Sequence, residues 1–322
     1  MTFHILVPDN VDARAVALLN ATEGFTVQAP GLMSREETLA AIPIADAMII
    51  RSSTTADAEL LRNATNLKVI ARAGVGVDNV DLNAATQHGV IVMNTPDANT
   101  ISTAEFAFGL MLALARHIPM GDAHLTNGRW DRKALEGVEL RGKTLGVVGF
   151  GRIGRAIAKR ALAFEMNVIA SDPYIAADVA ADLGVQLVEL DELFATADFI
   201  TLHTIATDET RQMINSETIA SMKPGVRIVN AARGVLINED DLAAAIKSGH
   251  VAGAAIDVYT EEPPPADHPL LALSNVIHTP HLAASTSDAQ VNVGLEAAQL
   301  VIDALTKQKY RNVVNPTVLA VE

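Results

Sequence analysis

Residues 143–162 read KTLGVVGFGRIGRAIAKRAL, and SDPYIAAD follows from Ser171. Leu145–Val148 is a short apolar run of the kind that forms a fully buried strand. The glycines Gly149, Gly151 and Gly154 come directly after it, and a helical pattern starts within them. Each has a mechanical use: Gly149 for the tight turn, Gly151 for close approach of a pyrophosphate, and Gly154 for helix–strand packing. Arg152 and Ile153 lie at the opening of that helix, whose free N–H groups suit phosphate. Asp172 lies 18 residues after Gly154, at the spacing from which a carboxylate accepts hydrogen bonds from an adenosine ribose. A carboxylate there repels a 2′-phosphate and no arginine follows it, so the expected cofactor is NAD rather than NADP. The glycine motif alone also fits a turn that merely packs a helix, or a nucleotide-sugar or S-adenosylmethionine site.

Outward from this segment the chain alternates strands and helices. Before it, Phe3–Val7, Ala45–Ile50, Leu67–Ala71 and Val90–Met93 read as buried strands. Ser34 and Glu37 have capping-box spacing at a helix start. After Pro96 a long apolar helix is expected over Thr100–His117. Thr144–Val148, Asn167–Ala170, Phe199–Leu202, Val226–Asn230, Gly253–Ile256 and Val276–His278 form a second strand series, and a last helix covers Ser287–Leu305. Alternation of this kind implies α/β architecture with doubly wound parallel sheets. The helices near residues 100 and 290 are the expected crossings between two domains, 1–98 plus 286–322 and 99–285.

Composition narrows the function. Among 322 residues there is no cysteine, which removes disulfides, zinc–thiolate sites and cysteine nucleophiles. No HExxH or GxSxG occurs, so no metal site and no serine-hydrolase elbow is expected. A net charge of −14 argues against nucleic-acid partners. The apolar run Phe106–Ala115 is too short for a bilayer, and Phe3–Val7 lacks a basic leader. A cytoplasmic, non-membrane protein acting on a small molecule is the expectation. Any anionic ligand must then be drawn in by local cations and backbone N–H groups.

Three further segments each follow an apolar strand: Asn230-Ala231-Ala232-Arg233-Gly234, then Asp257-Val258-Tyr259-Thr260-Glu261-Glu262-Pro263, then His281 within HTPHLAAST. Ligands bind at the carboxyl ends of strands in such sheets. An arginine, an acid and a histidine there suit hydride transfer to a 2-oxo acid. The arginine clamps a carboxylate, the histidine delivers a proton to the alkoxide, and the acid orients the histidine. His278, three residues earlier, is the obvious decoy.

These segments, with RSST (51–54), RAGVGVDN (72–79) and NTPDANT (94–100), resemble the D-isomer-specific 2-hydroxyacid dehydrogenases, from Arg51 to the end of the last helix. The closest likeness is to the branch acting on D-3-phosphoglycerate. The resemblance implies a Rossmann NAD-binding domain and a flavodoxin-like substrate domain. It assigns catalysis to Arg233, Glu262 and His281, taking Glu262 as the acid because it directly precedes the proline. Its carboxylate-binding loop matches Arg72, Ala73, Gly74, Val75 and Gly76. Further cofactor contacts fall at Arg152, Ile153, Asp172, Thr204, Ala231 and Asp257, the last on the nicotinamide amide.

Arg51, Arg72 and Arg132 fall where the family makes phosphate and inter-subunit contacts, which favours 3-phosphohydroxypyruvate and its reduced partner as substrates. Glyoxylate or hydroxypyruvate reduction is the second reading. A nucleotide-sensing co-repressor or scaffold is the reading from another class. A homodimer is implied, with the apolar helix around Phe106–Leu114 at the pairing surface. Many members of the branch carry a C-terminal serine-binding domain, which the segment NPTVLAVE leaves no room for.

Overall fold

The computed structural model describes residues 2–320, so Val321 and Glu322 of the NPTVLAVE segment lie outside the described residues. The chain divides into two compact units, one holding residues up to Asn99 together with those from Ser285, the other holding Thr100–Ala284.

The first unit is built from β1 (Phe3–Leu6), α1 (Ala13–Asn20), β2 (Phe25–Gln28), α2 (Arg35–Ala41), β3 (Ala47–Ile50), α3 (Ala58–Asn63), β4 (Val69–Arg72), α4 (Leu82–Gln87) and β5 (Ile91–Asn94). Its parallel sheet runs β2-β1-β3-β4-β5, the flavodoxin-like order. β3 is buried along its whole length, as a central parallel strand must be. Ser34 caps α2 with the full reciprocal capping box. One face of the sheet is covered by α1 and by the last helix of the chain (Ser287–Lys307), with Ile5, Leu19, Ile49 and Val301 in a shared core. The other face packs Met48, Ile50, Leu60 and Leu61.

In the second unit come α5 (Thr100–Ala115), α6 (Ile118–Thr126), β6 (Thr144–Val148), α7 (Arg152–Ala163), β7 (Asn167–Ser171), α8 (Ala177–Ala181), β8 (Gln186–Leu187), α9 (Leu190–Thr196), β9 (Phe199–Leu202), α10 (Ser216–Ser221), β10 (Val226–Asn230), α11 (Glu239–Ser248), β11 (Val251–Ile256) and β12 (Val276–His278); the helix already described as the chain's last is α12. The seven strands are parallel in the order β12-β11-β10-β9-β6-β7-β8. Chain order reverses between β6 and β9, which is the switch point where doubly wound sheets open a ligand crevice.

The structure departs from the sequence reading in three places. β2 and β8 are additional edge strands. Their burial alternates or is partial, so neither presents the continuous apolar run that marks the inner strands. The helix expected over Thr100–His117 stops at Ala115, His117 takes φ 54°, and α6 starts with Pro119 in its first turn, bent 62° away. Pro119 cannot donate to the carbonyl four residues back. That carbonyl, Ala115 O, instead accepts from Val138 N at 2.9 Å. Finally, Phe108, Leu110, Met111 and Leu114 of the helix expected at a pairing surface are buried in the core of their own unit, which leaves Ile101 and Gly109 of α5 exposed. Among the described residues no single helix is long and apolar enough to cross a membrane.

Candidate active site

The turn after β6 is set by what lies against it. Gly149 has φ 89°, and a Cβ there would stand 2.7 Å from the backbone of His203 and Thr204 at the end of β9. A Cβ at Gly154 would stand 2.1 Å from Gly149 O, so only glycine lets α7 close on the turn. At Gly151 a Cβ would meet nothing within 4 Å, which leaves open space at the start of α7. Gly151 is the N-cap of α7 and makes no side-chain cap, so the first-turn N–H groups have no capping side chain. Arg152 at this opening is exposed and Ile153 half-buried.

Asp172, just past β7, accepts from Phe150 N at 2.8 Å and from Tyr174 N at 2.9 Å. One carboxylate thus ties the glycine turn to the neighbouring strand end while keeping lone pairs for a ribose. An open approach, an uncapped helix start and a nearby acid together fit NAD. Thr204 and Ala231 flank this region at the ends of β9 and β10, Ala231 being 8% exposed. His203 beside Thr204 bonds Thr201 Oγ1 through Nε2 at 2.9 Å, and burial pushes its imidazole down to about 4.

Arg233 follows β10 on a loop held by the buried amide of Asn230. Its Oδ1 accepts from Ala232 N at 3.0 Å and its Nδ2 donates to Arg233 O at 2.9 Å. The guanidinium donates from Nη1 to Ala232 O at 2.7 Å. Past β11, Glu262 Oε2 lies 2.8 Å from His281 Nδ1, so the predicted acid and histidine do meet. With Nδ1 facing the carboxylate, Nε2 is left to face a substrate. Both side chains are roughly half exposed.

Asp257, assigned by resemblance to the nicotinamide amide, is fully buried here. Its carboxylate accepts from Thr279 Oγ1, from Leu282 N at 2.8 Å and from Ala283 N at 2.9 Å, while its own carbonyl accepts from His281 N at 2.8 Å. It therefore holds both sides of the loop on which His281 takes φ 54°. His278, the decoy, points elsewhere: its Nδ1 bonds the Tyr259 hydroxyl.

In the first unit, Arg72 ends β4 opposite Ile50, and Arg51 directly follows β3. Arg51 donates to Asn10 O at 2.9 Å. The guanidinium of Arg72 lies over its own loop, occupying the space into which a Cβ at Gly74 would project. Ala73 is buried, and Val75 O accepts from Asn94 Nδ2 at 2.6 Å. Arg132 belongs to the second unit, exposed just before a short 3₁₀ turn at Lys133–Leu135.

The sequence reading missed Asp9 and Asn79. Asp9 is 2% exposed, and its carboxylate receives the N–H groups of Arg51 and Thr54 and the Thr54 hydroxyl. Asn79 donates to the carbonyls of Arg51 and Thr54 at 2.7 and 2.6 Å. The local signals were an acid directly after a strand, in LVPDN, for Asp9 and the end of RAGVGVDN for Asn79.

Fold and site define an α/β protein with a dinucleotide-type crevice at its switch point and an acid–histidine pair at strand ends of the same sheet. Comparison with known proteins is more specific. Residues 108–283 match the family described as D-isomer specific 2-hydroxyacid dehydrogenase, NAD binding domain. D-3-phosphoglycerate dehydrogenase of Archaeoglobus fulgidus is 49% identical over 311 residues, covering 97% of this chain and 59% of that protein. Hydroxypyruvate reductase of Thermotoga maritima is 46% identical over 305 residues, covering 94% of this chain and 98% of that protein. The TT0316 protein from Thermus thermophilus superposes with a TM-score of 0.88 at 36% identity, over 97% of this chain and all of that one. This chain belongs to the D-isomer specific 2-hydroxyacid dehydrogenase family, and its second unit carries the family's NAD-binding domain. It spans about 59% of the length of the phosphoglycerate dehydrogenase from Archaeoglobus fulgidus.

Proposed function

We propose that this protein interconverts a D-2-hydroxy acid and its 2-oxo acid with NAD, and that the substrate pair is D-3-phosphoglycerate and 3-phosphohydroxypyruvate. The observation carrying the reaction is the 2.8 Å contact of His281 Nδ1 with Glu262 Oε2, on the loops that follow β12 and β11 in the same sheet as the glycine turn. When bound, the nicotinamide supplies or accepts the hydride. In the reducing direction His281 Nε2 donates a proton to the forming alkoxide, and Glu262, bonded to Nδ1, orients the ring for it. Arg233 offers a planar fork to the substrate carboxylate and carbonyl. Backbone N–H groups of residues 72–76 take the carboxylate, and residues 1–98 with 286–322 serve as the substrate domain. Gly149, Gly151, Arg152, Ile153, Gly154, Asp172, Thr204 and Ala231 contact the cofactor.

The phosphorylated substrate is supported by 49% identity to a phosphoglycerate dehydrogenase and by the Arg51, Arg72 and Arg132 set. Hydroxypyruvate is the second reading, supported by 46% identity to the Thermotoga maritima reductase. A panel of 2-oxo acids, followed by NADH oxidation, tests both. Two charge-assisted contacts of roughly 1.5–3 kcal/mol each predict at least a hundredfold preference in kcat/KM for the phosphorylated acid. Equal turnover of hydroxypyruvate or glyoxylate removes the phosphoglycerate reading and leaves the dehydrogenase. No turnover of any 2-oxo acid would support a nucleotide-sensing scaffold instead.

Partner and location follow the same reading: a cytoplasmic homodimer. With Phe108, Leu110, Met111 and Leu114 buried in their own unit, the pairing surface extends to α6, where Ile118 and Leu125 are exposed and Trp130, just beyond, is 80% exposed. A cleft of about 320 Å³ lined by Leu114, Pro119, Met120, Ala123 and Ile277 adjoins it. Sedimentation of wild-type protein and of Leu125→Glu checks this, the charge being expected to yield monomer.

A further inference from the structure

Glu262 and His281 are 39% and 50% exposed in their side chains, and a contact this open to water holds its geometry weakly by itself. A second hydrogen bond fixes the carboxylate. Glu262 Oε1 accepts from the backbone N–H of Tyr259 at 3.1 Å, which leaves Oε2 turned to His281. The position of that N–H depends on Tyr259, and Tyr259 is held on several sides.

Its ring is 7% exposed. His268 meets the ring edge-on, with centroids 5.4 Å apart at 89°, and His278 lies nearly parallel at 6.5 Å and 24°. The phenol oxygen is 2.9 Å from His278 Nδ1. Burial, with the charges of Glu239, Asp257 and Glu262 adding to it, pushes the phenol up to about 12, so it keeps its proton. Burial and the neighbouring His268 push His278 down. The phenol and His278 Nδ1 thus share one hydrogen bond, with Ile256 O as a further acceptor 3.5 Å from the phenol oxygen. Behind His268 stands Glu239, with Oε2 3.2 Å from His268 Nε2 and Oε1 accepting from Thr260 N at 3.1 Å. These two side chains are themselves mostly buried, at 7% and 16% exposure. Tyr259 also touches the arginine loop: a Cβ at Gly234, next to Arg233, would stand 1.9 Å from the Tyr259 carbonyl carbon.

We propose that Tyr259 is the positioning residue of the acid–base pair: its ring, locked between His268 and His278, sets the backbone N–H that turns Glu262 toward His281. The same backbone, abutting Gly234, ties the Arg233 loop to the pair. The inference rests on the acid–base reading of His281. What it assigns is a role for the aromatic ring at 259, with the phenol hydroxyl as a secondary anchor.

The test compares Tyr259→Phe, Tyr259→Leu and Glu262→Gln in reduction of 3-phosphohydroxypyruvate, or of whichever 2-oxo acid wild-type protein reduces fastest. Phenylalanine keeps the ring and stays within about threefold of wild-type kcat. Leucine lowers kcat about tenfold or more and leaves the KM for NADH within about twofold. It also moves the alkaline limb of the kcat/KM profile toward acid, as Glu262→Gln does, because the carboxylate no longer sits on the imidazole. The charged and titratable groups around the two residues are Glu239, Asp257, Glu262, His268, His278 and Arg233, and the variants at 259 leave all of them in place. Leucine added to Glu262→Gln moves the limb no further, since the two changes act through one contact. Tyr259→Met, which fills the slot with a flexible chain, is read the same way if leucine does not fold.

An unmoved limb in the leucine and methionine variants, or a shift that persists on top of Glu262→Gln, overturns the positioning role. If Glu262→Gln itself leaves the limb in place, the acid–base reading has failed, and this inference falls with it.

Discussion

Asp257→Asn exchanges one oxygen for an amide and changes almost nothing in volume, so its cost comes from hydrogen bonding. In the wild-type structure Oδ1 accepts from Thr279 Oγ1 and Leu282 N, and Oδ2 accepts from Ala283 N. The Thr279 hydroxyl can rotate to accept instead of donate, but a backbone N–H cannot. Whichever way the amide turns, its NH₂ group faces Leu282 N or Ala283 N, donor against donor. One buried N–H is stranded at about 1–3 kcal/mol, and the remaining bonds drop from charged to neutral strength, losing about 1 kcal/mol each. Relief from burying a charge returns part of this. The net expectation is about 2–4 kcal/mol, or roughly 5–15 °C in the melting of a unit this size. Function is hit as well, because His281 sits at φ 54° on the loop being released. That conformation is disfavoured by about 1–2 kcal/mol for a residue with a Cβ. We expect kcat to fall at least about tenfold. Thermal unfolding followed by circular dichroism, and steady-state kinetics at saturating NADH, measure the two effects. An Asp257→Asn protein within about 0.5 kcal/mol of wild type and within twofold in kcat would refute the clamp.

Arg233→Lys keeps the charge but loses the fork, and its kcat/KM for the 2-oxo acid should fall by two orders of magnitude or more; wild-type kinetics would reduce Arg233 to a source of positive field. Asp172→Ala should raise the KM for NAD about tenfold or more and narrow the preference over NADP. It removes both the proposed ribose acceptor and the bond to Phe150 N; a wild-type enzyme that already prefers NADP would contradict this. His203 provides a pH test: its folded value is about 4 against 6.5 for a free imidazole, so below pH 6.5 the unfolded chain takes a proton that the folded one refuses. Stability should therefore fall as pH drops from 6.5 toward 4, and His203→Gln should flatten that slope in urea titrations.

Much of this was legible along the chain, and for a local reason. The turn from β6 into α7 needs glycine where a Cβ would strike backbone at 2.1–2.7 Å, and such needs are written into adjacent residues. Inner strands buried on both faces are apolar throughout, so their runs stand out. The same logic hid β2 and β8, which lie at sheet edges and need no such run. An arginine, an acid and a histidine could be read at successive strand ends, and the family resemblance named them as Arg233, Glu262 and His281. Distances and directions were another matter. Whether His278 or His281 meets Glu262 depends on how the chain turns after β12, and the turn is made by Asp257, more than twenty residues earlier. Asp9 and Asn79 gave no sign of their roles, which consist of hydrogen bonds to residues far away in sequence, and Tyr259 none of the ring contacts that hold it. The apolar helix α5 misled because burial in its own core and burial against a partner demand the same side chains. Sequence pattern registers that a face is dry; only the packed structure shows what keeps it dry.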